Sequence, residues 1–451
     1  MLPASIYRLQ EGVPPQRKDS MKIGVISLGC AKNQVDTERM LGLLAPAGYA
    51  FTEDPAQAEV LIVNTCGFID PAKEESINSI LEMAQYKQTG VCRVLVATGC
   101  LVQRYREELE KEIPEVDIFL GVREYDKLPG LLAQKLGLPA PAPCQSVHRL
   151  LTTPPYRAFL RTGDGCNNRC TYCAIPLIRG PLQDVPMEKL LAEARSLAER
   201  GVTELTVIAQ DTSGYGKTLY GEPRLVPLLK ELNRIDGLHW IRVLYTYPDT
   251  VHPELLDTLQ EGEKLVPYLD IPLQHISDAV LKRMHRRGDS RHIRSLLDYL
   301  YKNYPDFTLR TTMMVGFPGE TEADFSELLS FIREYPFDRL GAFAFSPEEG
   351  TAAALMENQI PEEIKQQRLK ELMAAQQPIS LMRNRRWEGR ELEMLIEEIT
   401  PRHTIGRTIR EAPDVDGRVI LPRKAIHAVG GYIPVRLTQA KEYDMLGQSL
   451  E

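Results

Sequence analysis

The chain has 451 residues, 43% of them hydrophobic and 26% charged, with a formal net charge of −8 and eight cysteines. This is a globular composition long enough for two to four domains. The acidic balance argues against a nucleic-acid coat and suits a basic protein partner. No apolar run approaches the roughly 18–20 residues that cross a bilayer, so no membrane partner is expected. The first twenty residues lack an apolar signal core and read as a loose tail, with Met21 of "MKIGVISLGC" a candidate initiator. A cytoplasmic address follows, and in a reducing compartment the cysteines point to metal or redox chemistry rather than disulfides.

From Met21 to about residue 137 the pattern is strand, turn, helix, repeated. "KIGVISLGC", "VLIVNTCGF" and "RVLVATGCL" are short apolar runs, each followed by a helical stretch. Such alternation predicts a doubly wound, parallel α/β domain. Cys30, Cys66 and Cys100 each fall where a strand turns into its helix. The carboxyl ends of parallel strands share one edge, where ligand sites collect, so these three thiols are expected to converge. Cys92 and Cys144 have no such context and read as structural thiols.

A proline- and alanine-rich linker, "GLPAPAPCQSVHRLLTTPP", separates this domain from a longer βα series over residues 152–382. Six strand-like runs, from "AFLRTGDG" to "RLGAFAFSPEEG", predict a partial TIM-type (βα)6 barrel with its chemistry at the strand carboxyl ends. Residues 383–451 change to short alternating runs with Gly and Pro punctuation, predicting a small antiparallel, five-stranded β-barrel.

The loop after the first core strand reads "GDGCNNRCTYCAIPLIRG" and carries Cys166, Cys170 and Cys173 as C-x3-C-x2-C. Structural zinc closes with four ligands, and His148 lies too far upstream to serve as a persuasive fourth. A cubane iron–sulfur cluster held by three cysteines leaves one iron open to substrate. The remaining candidates at strand ends are Gln210 and Asp211 in "IAQDTSGYG", Arg242, Gln274 in "DIPLQH", and Gly316 with Pro318 and Gly319 in "GFPGE". Arg179, next to the triplet, could pair with a carboxylate. A lone His275 reads as hydrogen-bonded scaffold.

The triplet in its strand-end loop, with Tyr172 before the last cysteine, resembles the radical S-adenosylmethionine superfamily. "SLGCAKNQVDTE", "VNTCGFI" and "TGCLVQ" ahead of that core extend the resemblance to the methylthiotransferase family over roughly residues 21–451. The resemblance implies two 4Fe–4S clusters, one on Cys166, Cys170 and Cys173 that binds S-adenosylmethionine, and one on Cys30, Cys66 and Cys100 that handles sulfur. It also implies a C-terminal TRAM barrel, cofactor contacts from Gln210, Asp211, Arg242, Gln274 and Gly316, an electron donor such as flavodoxin or ferredoxin, and a sulfur source.

Family members divide into tRNA-adenosine modifiers and the enzyme that modifies an aspartate of small-subunit ribosomal protein 12, free or in the ribosomal subunit. "SLGCAKNQVD", "CAIPLIRG" and Gln274-His275-Ile276-Ser277 are similar to the second branch, in which Arg179 would orient the target aspartate. Residues 380–451 carry 12 Lys/Arg and 11 Asp/Glu, a net of +1, whereas a tRNA-binding domain is expected to be clearly basic. The alternatives are a tRNA methylthiotransferase of the same fold and a non-catalytic iron–sulfur or zinc protein.

Overall fold

The computed structural model describes residues 2–6, 20–139 and 149–451. Cys144, His148 and much of the expected linker lie outside the described residues. The chain divides into two compact units, one of residues 1–167, 173–182 and 348–350, the other of residues 168–172, 183–347 and 351–451.

The first unit runs β1 (Leu2–Ile6), β2 (Lys22–Gly29), α1 (Ala31–Leu44), β3 (Ala50–Phe51), β4 (Val60–Thr65), α2 (Asp70–Ala84), α3 (Tyr86–Thr89), β5 (Val94–Gly99), α4 (Cys100–Glu112), β6 (Ile118–Leu120), α5 (Leu128–Leu136), β7 (Arg157–Arg161), β8 (Gly163–Asp164) and α6 (Ile175–Arg179). Its sheet has the order β1-β2-β4-β5-β6, with β3 also on β2. Strands β2, β4, β5 and β6 run parallel. Successive side chains of a strand point to opposite faces, and β4 shows the consequence. Val60 and Ile62 enter one core with Leu41, Leu44 and Leu132, while Leu61 and Val63 enter the other with Ile80, Met83 and Leu101. Each such fully buried aliphatic side chain contributes about 1.5–3 kcal/mol, and burial on both faces makes these strands continuous apolar runs.

Residues Leu2–Ile6, expected in the loose tail, instead pair antiparallel with Ile26–Gly29 of β2. The physical reason is that an uncovered strand edge presents unpaired N–H and C=O groups that a further strand satisfies. Cys92 is a structural thiol as expected, buried and donating to the Val94 carbonyl.

The second unit contains β9 (Gln183–Asp184), α7 (Met187–Glu199), β10 (Glu204–Ile208), α8 (Leu225–Leu232), β11 (Trp240–Val243), α9 (Pro253–Glu261), β12 (Tyr268–Asp270), α10 (Asp278–Arg283), α11 (Ser290–Asn303), β13 (Thr308–Val315), α12 (Glu322–Glu334), β14 (Arg339–Ala344) and α13 (Glu362–Arg385). All six predicted core runs are strands, β7 and β10 to β14. Within the second unit β10 pairs parallel with β11, and β12, β13 and β14 pair parallel in that order. The helices follow from local signals. In α11, Ile293, Leu296, Leu297 and Leu300 form the buried stripe, and α12 opens on a Thr321/Asp324 capping box.

Helix α13 runs unbroken across the expected boundary at 382/383 to Arg385. After it, β15 (Glu391–Ile399), β16 (His403–Arg407), β17 (Val419–Pro422), β18 (Tyr432–Ala440) and β19 (Met445–Ser449) close a barrel in the order β15-β16-β17-β19-β18. Four of its strands are legible as alternating runs; β19, "MLGQS", is the fifth. Buried ion pairs fasten this barrel to the core strands. Arg407 pairs with Glu204 of β10 at 2.5 Å, Arg339 of β14 with Glu411 at 2.9 Å, and the Tyr268 hydroxyl donates to Asp416 at 2.6 Å.

Candidate functional site

The register places Ser27 of β2 beside Asn64 of β4, and Asn64 beside Thr98 of β5. A few residues on, all three strands end in a cysteine. Cys30 caps α1, Cys66 follows Thr65, and Cys100 opens α4. Neighbouring strands lie about 4.8 Å apart, so the three thiols line one edge of the sheet. Glycines make the room. Gly29 has φ +95°, and a Cβ there would sit 2.9 Å from the Cys66 Cβ; at Gly99, with φ +100°, it would sit 2.5 Å from the Thr65 carbonyl oxygen.

Burial pushes the Cys66 thiol up to about 12, with Cys100 and Cys30 adding to the rise. Burial likewise pushes Cys100 up to about 11, against the pull of Arg179. Such thiols keep their protons at neutral pH until a metal displaces them. Among the described residues no three Cys, His, Asp or Glu side chains are gathered for a single metal ion. Three soft thiolate donors spread over adjacent strand ends fit the corners of a polynuclear iron–sulfur group.

Beside these thiols lies a buried lattice of charge. The Asn33 side-chain amide donates to the Leu28 and Thr65 carbonyls, both at 2.8 Å, tying the ends of β2 and β4 together. Arg179 Nη2 donates to Asp36 Oδ2 at 2.8 Å, to Asn33 Oδ1 at 3.1 Å and to Cys100 Sγ at 3.6 Å. Its Nη1 donates to Asp164 Oδ1 at 3.0 Å. Asp36 is held from its other oxygen by Arg161 at 2.6 Å. Arg179 is only 2% exposed, and both terminal nitrogens are taken by the chain's own carboxylates. The expected role of Arg179 in orienting a substrate aspartate is therefore corrected: it fastens the segment behind the second triplet to the edge that carries the first. A buried guanidinium needs matched counter-charges, and these acids provide them.

The second triplet lies in the loop after β8. Cys166 donates its N–H to the Gly180 carbonyl at 3.1 Å, while Gly165, at φ +77°, lies where a Cβ would meet the Pro181 carbonyl oxygen at 2.3 Å. In the second unit, Thr171 donates from its N–H to the Met284 carbonyl at 3.1 Å and from its hydroxyl to Arg283 at 2.8 Å. Tyr172 packs edge-on against Phe317 at 6.4 Å. The Cys170 sulfur has the Tyr247 hydroxyl at 3.8 Å and Arg286 Nη1 at 3.9 Å.

The remaining candidates separate. Gln210 stands just past β10 at the expected strand end. Asp211 is consumed by structure, accepting from Ser213, the Gly214 N–H and the Asn168 amide, the last at 2.8 Å. It positions the cysteine loop. Arg242 donates to the Ile409 carbonyl at 2.9 Å, lies 3.7 Å from Glu204 and covers the Tyr268 ring, which ties it to the C-terminal barrel, while its Nε and Nη2 are buried without a hydrogen-bond partner. Gly316 has φ +73°, and a Cβ there would clash with Lys365 of α13 at 2.3 Å; its glycine serves helix packing rather than ligand approach.

Gln274 is different. It holds φ +74° just past β12, and its carboxamide oxygen is buried without a hydrogen-bond partner. A strained backbone with an unsatisfied buried acceptor keeps Gln274 among the candidates. His275 is scaffold, as expected: its Nδ1 accepts from the Ser277 N–H at 3.0 Å, and burial pushes its pKa down to about 3. The sequence reading missed Asn33, Asp36, Tyr247 and Arg286. The first two stand one helical turn apart behind Cys30 in "CAKNQVD", which is the signal that could have found them.

Comparison with known proteins gives three successive matches. Residues 22–121 match the family described as Uncharacterized protein family UPF0004, residues 160–332 the Radical SAM superfamily, and residues 389–450 the TRAM domain. A Geobacter sulfurreducens protein described as ribosomal protein uS12 methylthiotransferase RimO is 46% identical over 439 residues, 95% of this chain and 98% of that protein. This chain belongs to the RimO family. RimO proteins of Geotalea uraniireducens and Lachnoclostridium phytofermentans are also 46% identical, each over 95% of this chain and 98% and 99% of their own lengths. Among solved structures, the radical S-adenosylmethionine methyltransferase TsrM from Kitasatospora setae, with cobalamin and a [4Fe-4S] cluster bound, has a TM-score of 0.55 at 12% identity, covering 74% of this chain and 77% of that one. At that identity the likeness bears on the fold alone. As a RimO-family member the chain is a radical S-adenosylmethionine enzyme with iron–sulfur chemistry. Among the described residues, no helix is long and apolar enough to cross a membrane.

Proposed function

We propose that this chain inserts a methylthio group at the β-carbon of an aspartate of ribosomal protein uS12. In this reading Cys166, Cys170 and Cys173 hold the cluster that binds S-adenosylmethionine, and Cys30, Cys66 and Cys100 hold a second. The observation that carries it is the placing of three cysteines at three adjacent strand ends, Cys66 and Cys100 buried and Cys30 exposed, with Arg179 donating to Cys100 from the segment behind the other triplet. When bound, the two clusters would supply the electron that splits S-adenosylmethionine and the sulfur that is inserted.

The chain's own residues position and exclude. Asn33 and the Asp36–Arg179–Asp164 bridge fix the geometry around the first triplet. Asp211 and the carbonyls of Arg283 and Met284 hold the loop of the second. Gln274 and Gln210 are assigned to the cofactor, Gln274 through its unsatisfied amide oxygen. No side chain is needed as an acid or base; confining a radical requires a dry, packed surround. A flavodoxin- or ferredoxin-type donor and a separate sulfur source complete the scheme. The near-neutral C-terminal barrel favours a protein substrate over tRNA.

Mass spectrometry of uS12 from cells lacking this chain is expected to show the target aspartate without its methylthio group, while methylthio-adenosine in tRNA persists. A fully modified uS12 in those cells would reject the substrate. Anaerobically prepared protein should hold about eight irons per chain, four for each cluster.

A further inference from the structure

Within the second unit, a tyrosine hydroxyl and an arginine guanidinium converge on one sulfur of the cysteine loop. The Tyr247 hydroxyl lies 3.8 Å from Cys170 Sγ, and Arg286 Nη1 lies 3.9 Å from the same atom. Neither arrives by chance of a loose side chain. Helix α10 ends with His285 in the left-handed region, at φ +56°, and the Arg286 N–H closes back on the Leu281 carbonyl at 3.0 Å. This Schellman-type ending fixes the Arg286 backbone. Its guanidinium then donates to the Pro272 carbonyl and lies 3.9 Å from the centroid of the Tyr247 ring. Tyr247 is 6% exposed, its N–H donates to Ser213 Oγ at 2.9 Å, and Arg287 approaches the same ring at 4.6 Å. Arg287 in turn pairs with Asp249 at 3.2 Å.

We infer that Tyr247 and Arg286 are positioning residues that set the reduction potential of the iron–sulfur cluster on the Cys166, Cys170 and Cys173 loop, by donating hydrogen bonds to the Cys170 thiolate. This rests on the assignment of Cys170 as a cluster ligand. A thiolate that accepts hydrogen bonds and faces a cation gives less electron density to its iron, which stabilises the reduced cluster and raises its potential.

The test is a potentiometric titration of the reconstituted full chain, read by electron paramagnetic resonance of the reduced cluster in a background lacking the N-terminal thiols (Cys30→Ala, Cys66→Ala, Cys100→Ala). Tyr247→Phe, which removes one hydroxyl, should lower the reduced-to-oxidised ratio at a fixed poise severalfold. Arg286→Gln should lower it about tenfold, which for a one-electron couple is about 59 mV, and Arg286→Lys should recover part of that. A purely structural role would reduce iron content without moving the midpoint of the cluster that remains. Midpoints unchanged in iron-replete Tyr247→Phe and Arg286→Gln would overturn the inference. If Cys170→Ala retains its full iron and its signal, the ligand assignment itself fails, and that outcome is distinguishable from the first.

Discussion

The two thiol triplets are built in opposite ways. Cys30, Cys66 and Cys100 are spread over about seventy residues and share one edge because three parallel strands end side by side, each on its own helix. Cys166, Cys170 and Cys173 are near neighbours in sequence, and the work of the fold there is to hold an irregular loop still. The first site takes its rigidity from a sheet buried on both faces and from the Asp36–Arg179 lattice. The second is pinned by hydrogen bonds from a helix end and by Asp211. Topology can bring thiols to one edge without help from spacing, whereas a loop needs anchors at both its ends.

Removing one thiol from each site separates them most strongly. On the proposal that each triplet holds one cubane, Cys66→Ala and Cys170→Ala should each lower iron from about eight to about four per chain. Formation of 5′-deoxyadenosine should survive the first substitution and vanish with the second, while methylthio transfer is lost in both. Equal loss of S-adenosylmethionine cleavage in the two variants would erase the distinction.

Next in size is Asp36→Asn, which leaves Arg161 and Arg179 buried beside each other without their shared counter-charge. Breaking a buried pair in this way costs about 3–5 kcal/mol. The unfolding midpoint should fall accordingly, and iron should be lost from the first site ahead of the second. Gly29→Ala probes the same edge more gently. A side chain at φ +95° is strained by about 1–3 kcal/mol, and its Cβ would press on Cys66 at 2.9 Å. Retention of the first cluster at wild-type stability would show that the glycine is not what makes room for it.

The smallest effect belongs to the second region and depends on pH. His275 holds the Ser277 N–H that opens α10, the helix whose end grips the cysteine loop. Its folded pKa of about 3 lies below the ordinary value of 6.5, so between these limits the unfolded chain binds the extra proton. The stabilisation is complete above about pH 6.5 and declines as pH falls, by about 1.4 kcal/mol per unit. The loss of stability between pH 7 and pH 5, measured by denaturant unfolding, should therefore shrink in His275→Gln. An identical loss in the variant would remove His275 from the account.

Much of the molecule is legible from residues alone. The three-part organisation, the strand-end position of Cys30, Cys66 and Cys100, and the C-x3-C-x2-C loop follow from periodicity and from the residue types that bind metal. Backbone pairing obeys local pattern, so β2, β4 and β5 stand where their apolar runs predict. What long side chains do is another matter. Arg179 and Gly316 each suit a ligand by position, yet Arg179 is claimed by Asp36 and Asp164, and Gly316 by the approach of Lys365.

The sequence by itself determined where thiols could gather, because strand periodicity and cysteine chemistry are local properties. Only the tertiary structure decided which charges are spent on one another, because a buried guanidinium takes whichever carboxylates the fold brings within about 3 Å, however distant they are along the chain.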